Sequence, residues 1–489
     1  FFMSVIRVND LTFHYDGSYD NIFEHVSFQI DTDWKLGFIG RNGRGKTTFL
    51  KLLMGELDDS GTISSSVPFD YFPFAVPDGS LATAEIFRRV SGAPGWRLEK
   101  ELNLLDVGAG VIDRAFCSLS PGERTKVLLA ALFCRNNRFL LIDEPTNHLD
   151  MDARAAVSRY LDGKKGFLLV SHDRAFLDGC VDHILSINRA NIEVQKGGFS
   201  SWEENRRRQD AFELAENERL AREIAGLHAA ARRTADWSDR VERTKIGQHA
   251  GDRGYIGAQS ARMMKRAKTT ERRQERAVKE KEKLFKNIER NDTLRVTPLR
   301  HHADLLLEAL ALRIVYGDRT VCGPLDFALH RGERIALCGK NGSGKSSILK
   351  LAAGMNVPHA GTLRTASGLI VSHMPQDASF LSGSLSAFAR ESGLDETLFF
   401  TILRKLDFPR VQFEKDMRDF SAGQKKKALL AKTLSTQAHL YIWDEPLNYI
   451  DVLSRMQVRD LLLASKPAML FAEHDRAFTQ EIATRVIRL

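Results

Sequence analysis

Two stretches of this 489-residue chain carry the pattern Gly-x4-Gly-Lys-Thr/Ser, from Gly40 to Thr47 and from Gly339 to Ser346. Glycines let backbone N–H groups approach a phosphate closely, the lysine reaches β- and γ-phosphates, and the hydroxyl can ligate Mg²⁺. The candidate phosphate contacts are Gly40, Asn42, Gly43, Gly45, Lys46, Thr47 and Thr48 in the first copy. In the second they are Gly339, Asn341, Gly342, Gly344, Lys345, Ser346 and Ser347. Further along each half, an apolar run ends in an acid pair, Asp143-Glu144 and Asp444-Glu445. The aspartate suits a metal ion, with Thr47 and Asp143 forming one ligand pair and Ser346 and Asp444 the other. The glutamates Glu144 and Glu445 are placed to polarise an attacking water. This chemistry is nucleoside triphosphate hydrolysis.

These residues must be positioned twice by the same scaffold. FIGRNGRGKTTFL at 38–50 returns as LCGKNGSGKSSIL at 337–349, and FLLIDEPTNHLD at 139–150 returns as LYIWDEPLNYID at 440–451. The two copies stay in near-constant register, which means duplicated domains. Short apolar strand-like runs alternate with helical patterns in each, predicting an α/β core with a largely parallel sheet. The expected domains are 3–202, a helical linker at 203–300 with its tip near 241–258, and 301–489. The insert differs in composition from both flanks: residues 203–290 hold 23 Lys/Arg and 16 Asp/Glu, nearly the whole +8 net charge of the chain. Helix formers dominate 203–240 and 259–290, while Gly247, Gly251, Gly254 and Gly257 break the pattern between them. Two long antiparallel helices are expected, each about 50 Å long. The first would carry an apolar seam of Phe212, Leu220, Ile224 and Leu227. A basic, glycine-broken tip suits a polyanion.

Composition narrows the classes. The five cysteines are scattered with no CxxC pair, which disfavours a disulfide framework or zinc site and fits a reducing cytoplasm. No apolar run reaches the roughly 18–20 residues of a membrane span, so a transporter would need its membrane part on another chain.

A further motif precedes each acid pair, LSPGE at 119–123 and FSAGQ at 420–424, and with it the chain resembles the ABC ATPases. The fold this implies is two tandem ABC-type P-loop nucleotide-binding domains joined by the long antiparallel helical hairpin. The resemblance makes His172 and His474 switch histidines that contact the γ-phosphate, and Asp150 and Asp451 the D-loop residues. Tyr15 and Tyr316 become adenine-stacking candidates, and Gln376 the Q-loop glutamine. It also implies that two ATP molecules are held head-to-tail, with Ser120 and Gly122 facing the ATP on Lys345 and Ser421 and Gly423 facing the ATP on Lys46. The chain departs from the pattern at Pro121, which replaces a glycine and removes an N–H donor. Around Tyr71-Phe72-Pro73-Phe74 no glutamine occurs, and Leu447 stands where the first half has Thr146. Both sites are expected to bind ATP with Mg²⁺ and to hydrolyse it at unequal rates.

Paired ABC domains, no membrane span and a charged helical insert resemble the ABC-F proteins. That resemblance implies a monomeric cytoplasmic factor that binds the E site of the 70S ribosome with ATP, beside P-site tRNA, and pushes its linker toward the peptidyl-transferase centre. The absence of a large insert in the first domain, the absence of a C-terminal extension, and the runs AFELAENE and GAQSARMMKRAK look similar to the Lsa-type antibiotic-resistance ABC-F proteins. Those protect ribosomes against lincosamides, streptogramin A and pleuromutilins. The rRNA-contact candidates are Arg243, Lys245, Arg253, Tyr255, Ile256, Arg262, Lys265, Arg266 and Lys268, where cations suit phosphates and the tip residues suit unstacked bases. The alternatives are a housekeeping ABC-F translation factor, a transporter's ATPase subunit, and a DNA-maintenance ATPase with a coiled coil.

Overall fold

A computed structural model describes residues 4–15, 21–58, 60–147, 149–188, 191–243, 296–317 and 319–489. The chain divides into two compact units, residues 1–202 with 291–489, and residues 203–290.

The first unit contains the duplicated core. In its N-terminal half, β1 (Val5–Phe13) pairs antiparallel with β2 (Phe23–Asp31) and with β4 (Ser60–Ser65). The larger sheet has strand order β5-β6-β7-β3-β8-β9, built from β5 (Phe69–Phe72), β6 (Phe139–Asp143), β7 (Phe167–Val170), β3 (Lys35–Ile39), β8 (His183–Asn188) and β9 (Asn191–Lys196). All its pairs are parallel except β8–β9. The second half repeats this plan. Its antiparallel sheet is β10 (Leu305–Tyr316) flanked by β11 (Arg319–His330) and β13 (His359–Thr365). Its parallel sheet has order β14-β15-β16-β12-β17, from β14 (Val371–Met374), β15 (Leu440–Asp444), β16 (Met469–Ala472), β12 (Arg334–Cys338) and β17 (Arg485–Arg488).

Up to their terminal aspartates in β6 and β15, strands β6, β7, β15 and β16 are apolar without alternation because helices cover both faces of the sheet, and every side chain but that of Asp143 is buried. The helices are set by short polar caps. Ser120 starts Pro121–Phe133 and Ser421 starts Ala422–Ser435, each in a reciprocal capping box, with Glu123 and Gln424 respectively. Asp150 caps Met151–Asp162 and Asp451 caps Val452–Ser465. Val452, Leu453 and Met456 from the second half join the buried core of the first, so the two halves share apolar contact. Pro121 occupies the first position of its helix, where an N–H lacks an intrahelical partner anyway; Ser120 still caps the helix.

The helix expected over 203–240 runs from Phe199 to Arg243, and its 45 residues span about 67 Å. It begins earlier because Asp178 caps it from a distance: Ser200 N and Oγ donate to its carboxylate at 2.8 and 2.5 Å. Phe199 and Trp202 are buried. The expected seam is interrupted. Leu220 is buried and Ile224 half-buried, but Phe212 is 67% exposed. At 100° per residue, Phe212 stands about 80° around the helix from Leu220, off that stripe. The side chains of Leu227 and Arg243, the proposed tip, and Lys245, Arg253, Tyr255, Ile256, Arg262, Lys265, Arg266 and Lys268 lie outside the described residues, as does the second helix.

Candidate active sites

Each Gly-x4-Gly-Lys loop leaves its strand and opens a helix. Gly45 and Gly344 hold φ of 91° and 92° at the helix start, a left-handed conformation that favours glycine. Lys46 Nζ donates to the carbonyls of Gly40 and Arg41 at 2.8 and 3.1 Å, and Lys345 Nζ to those of Gly339 and Lys340 at 2.8 and 2.9 Å. Each lysine therefore curls back across its own loop, bracing the backbone that would cradle phosphate. Burial pushes both ammonium groups below the usual lysine range, against the pull of nearby carboxylates. Tyr15 Oη lies 2.9 Å from Thr48 Oγ1 and Tyr316 Oη 3.0 Å from Ser347 Oγ, so each half-exposed ring stands at the edge of its loop.

The acid pairs end strands β6 and β15. Thr47 Oγ1 donates to Asp143 Oδ2 at 3.3 Å, and Ser346 hydrogen-bonds Asp444. Burial raises both aspartates, Asp444 to about 6. Asp444 Oδ1 is buried with no hydrogen-bond donor. A hydroxyl beside a carboxylate offers two hard oxygens, which fits Mg²⁺ bound chiefly through substrate phosphates and water. Among the described residues no cluster of three or more acidic, histidine or cysteine ligands that could hold a metal ion occurs.

Glu144 and Glu445 both take positive φ, 50° and 47°. A left-handed glutamate is strained, and the neighbouring strand enforces it: Glu144 N donates to Val170 O at 3.0 Å and Glu445 N to Ala472 O at 2.9 Å. This turns each carboxylate out of its strand toward the phosphate loop.

The signature residues of one half meet the phosphate loop of the other. Ser421, Ala422 and Gly423 line a cavity of about 540 Å³ with Tyr15, Asn42, Lys46, Thr47, Asp143, Glu144 and His172. Asn42 Nδ2 donates to Tyr449 O at 2.8 Å across this junction, and a Cβ at Gly423 would fall 2.7 Å from that same carbonyl. The glycine is there for the close approach. Ser120, Pro121, Gly122 and Asp150 line a second cavity of about 530 Å³ with Asn341, Gln376, Glu445 and His474. Gly339 borders an adjoining space with Asp150 and His474. Asp451 is buried against Lys427 at 2.9 Å; although burial opposes it, this ammonium holds its carboxyl well below the usual carboxylate range.

The family model described as ABC transporter matches residues 23–147 and 322–448, together just over half the chain. The chain belongs to this ABC family. It is an ATPase with two ABC domains in tandem. Over its whole length it is 27% identical to the putative ATP-binding protein YdiF of Bacillus subtilis, covering 80% of that protein. Over 96% of its length it is 26% identical to the energy-dependent translational throttle protein EttA of Escherichia coli, covering 89% of it. The archaeal ribosome recycling factor aABCE1, solved with the archaeal ribosomal stalk protein aP1, superposes with a TM-score of 0.62 at 21% identity, over 98% of this chain and 87% of that one. That likeness bears on the fold alone. No described helix of the ABC chain is long and apolar enough to cross a membrane.

Within this ABC pair the two glutamates differ in their surroundings. Glu445 accepts from Gln376 Nε2 at 2.9 Å and Asn448 Nδ2 at 2.5 Å, and lies 3.1 Å from His474 Nε2. Burial pushes its carboxyl up, but His474 and Gln376 outweigh burial and hold it below the usual range. Glu144 has His172 Nε2 at 3.3 Å, off the line of a hydrogen bond, and its buried Oε1 has no donor. Burial and the adjacent Asp143 push Glu144 up to about 8. At the place of Gln376, directly after the proline that the halves share (Pro73 and Pro375), the first half has Phe74; Tyr71, in the preceding strand, donates its hydroxyl to Asp143 at 3.1 Å and so serves the metal-side acid. Sequence reasoning noted the missing glutamine but gave Tyr71 no role. Its place at the end of the strand next to β6 was the available signal.

Proposed function

We propose that this ABC protein is a cytoplasmic ABC-F factor that binds the 70S ribosome at the E site when ATP joins its two halves, and that it is of the Lsa type. It would protect the peptidyl-transferase centre from lincosamides, streptogramin A and pleuromutilins. The observation that carries the ATP-gated part is the sharing of each cavity between one half's phosphate loop and the other half's signature loop. A nucleotide there contacts both halves, so binding favours their closure and hydrolysis releases it.

The residue roles follow from this reading. Lys46 and Lys345 neutralise the β- and γ-phosphates, while the N-termini of the helices capped by Ser421 and Ser120 present N–H groups from the opposite side. Glu144 and Glu445 orient the attacking water, and His172 and His474 reach the γ-phosphate. Thr47 with Asp143, and Ser346 with Asp444, would hold Mg²⁺, which when bound neutralises charge developing on the phosphate oxygens. The basic insert supplies phosphate-binding charge for rRNA. The name of one relative, an energy-dependent translational throttle protein, supports a client in translation. The match to the throttle protein also favours a second reading, a housekeeping translation factor.

The test is sedimentation of the Glu144→Gln, Glu445→Gln variant with 70S ribosomes in ATP at low salt, where stable co-pelleting is expected. A variant that stays in the supernatant contradicts ribosome binding. Expression in a susceptible host separates the two readings: resistance that disappears on deleting 243–257 supports protection, and unchanged inhibitory concentrations leave the housekeeping role.

A further inference from the structure

Lys426 lies five residues beyond Ser421 in the helix Ala422–Ser435 and is almost fully buried, at 2% exposure. Its ammonium donates to Pro375 O at 3.2 Å, Glu445 O at 3.1 Å and Asp444 O at 3.5 Å. One side chain thus ties three pieces together: the helix whose N-terminus faces the first ATP site, the loop carrying Gln376, and the acid pair of the second site. The matching residue of the first half is Thr125, whose hydroxyl only returns to Pro121 O of its own helix at 3.1 Å.

A second exchange accompanies it. Glu473 stands where the first half has Ser171, and its carboxylate accepts from the N–H groups of Leu447, His474 and Asp475 at 3.1, 2.7 and 3.3 Å. Lys426 feels this carboxylate along with those of Asp444 and Glu445. The first half uses hydroxyls at the corresponding places, with Thr146 Oγ1 3.5 Å from Ser171 Oγ. Leu447, which replaces Thr146, is fully buried, and its N–H is secured by Glu473 instead.

We infer that Lys426 is a positioning residue for Glu445: with Glu473 it forms a charged frame behind the second ATP site that holds Gln376 and Glu445 in reacting register. Glu445 needs such a frame because its backbone is left-handed, a state that persists only where surrounding contacts enforce it. Ala472 secures its N–H and Lys426 its carbonyl. A buried ammonium suits this role because it has three donors to satisfy and loses much if any is left unmet.

This inference rests on Glu445 acting at the second site, so the test uses backgrounds that isolate each glutamate. Glu144→Gln leaves turnover to Glu445, and Glu445→Gln leaves it to Glu144. Lys426→Thr, which installs the first half's residue, is expected to lower kcat about tenfold or more in the Glu144→Gln background. There the KM for ATP should change less than about twofold, and Lys426→Arg should recover part of the rate. In the Glu445→Gln background kcat should stay within about twofold. Unchanged kcat in the first background, or equal loss in both, overturns the positioning role. Should Lys426→Thr melt before assay temperature, Lys426→Met and Lys426→Arg carry the same comparison. Failure of the glutamate assignment would show separately, as wild-type turnover in the double Glu→Gln variant.

Discussion

The two ATP sites are built from the same strands, loops and caps, yet they support their glutamates differently. At the second site, Gln376 and Asn448 donate to Glu445, His474 stands against it, and a buried lysine grips its backbone. At the first, Glu144 has the same left-handed backbone, but one carboxylate oxygen is buried without a donor, and the nearest phenol serves Asp143. The comparison teaches that motif identity does not fix motif competence. Both halves spell Asp-Glu at the same place, and the difference comes from residues outside that acid pair, chiefly Gln376, Lys426 and Glu473 against Phe74, Thr125 and Ser171. The second site is held ready; the first depends more on its ligands to complete it.

The largest expected effect tests what the sites have in common. Glu144→Gln with Glu445→Gln should lower phosphate release by about a thousandfold, within the usual range for removing a proton-handling or water-orienting group. Nucleotide binding should survive, because Lys46 and Lys345 are untouched. A smaller effect sharpens the difference. Gln376→Ala should cost about tenfold when only Glu445 can act, since it removes a donor to a charged group. Tyr71→Phe should cost only about threefold when only Glu144 can act, because the lost bond is to Asp143. Steady-state ATPase assays in the two single-glutamate backgrounds check both; equal losses would break the proposed division.

The smallest effect is on stability, and its sign differs between sites. Glu144 is raised by burial to about 8. Its favourable contribution is complete below pH about 4.5 and is lost as pH rises through about 8. Glu445 is lowered, so its contribution is present at neutral pH and lost only in acid, as pH falls through the depressed value. In EDTA without nucleotide at pH 8.5, Glu144→Gln should raise the melting temperature by about 2–4 °C and Glu445→Gln should lower it by a similar amount. Near pH 5 the gain from Glu144→Gln should largely vanish. Shifts of the same sign for both variants would contradict the different environments.

Much of this was legible in the sequence because ATP binding is written in local patterns. Glycine spacing, an apolar strand ending in Asp-Glu, and the Ser-x-Gly helix starts report their own conformations. The head-to-tail pairing followed from resemblance to ABC ATPases, and the shared cavities place Ser421 with Lys46 and Ser120 with Glu445. What escaped were contacts between residues far apart in the chain. Asp178 starting a helix at Phe199 is a cap supplied from 22 residues upstream, invisible to a search for local N-cap residues. Lys426 sits two places beyond the signature loop, between two other lysines, and only the fold shows that it points inward. Phe212 misled because a list of apolar residues is not a stripe until its angles are checked.

The inequality of the two sites is tested most directly by single-turnover ATP hydrolysis at pH 7 in the two single variants, each mixed with limiting labelled ATP and Mg²⁺. The hydrogen-bonded frame around Glu445 predicts that Glu144→Gln, which leaves the second site active, hydrolyses about tenfold faster than Glu445→Gln, which leaves the first. Equal rates, or a faster first site, would contradict it.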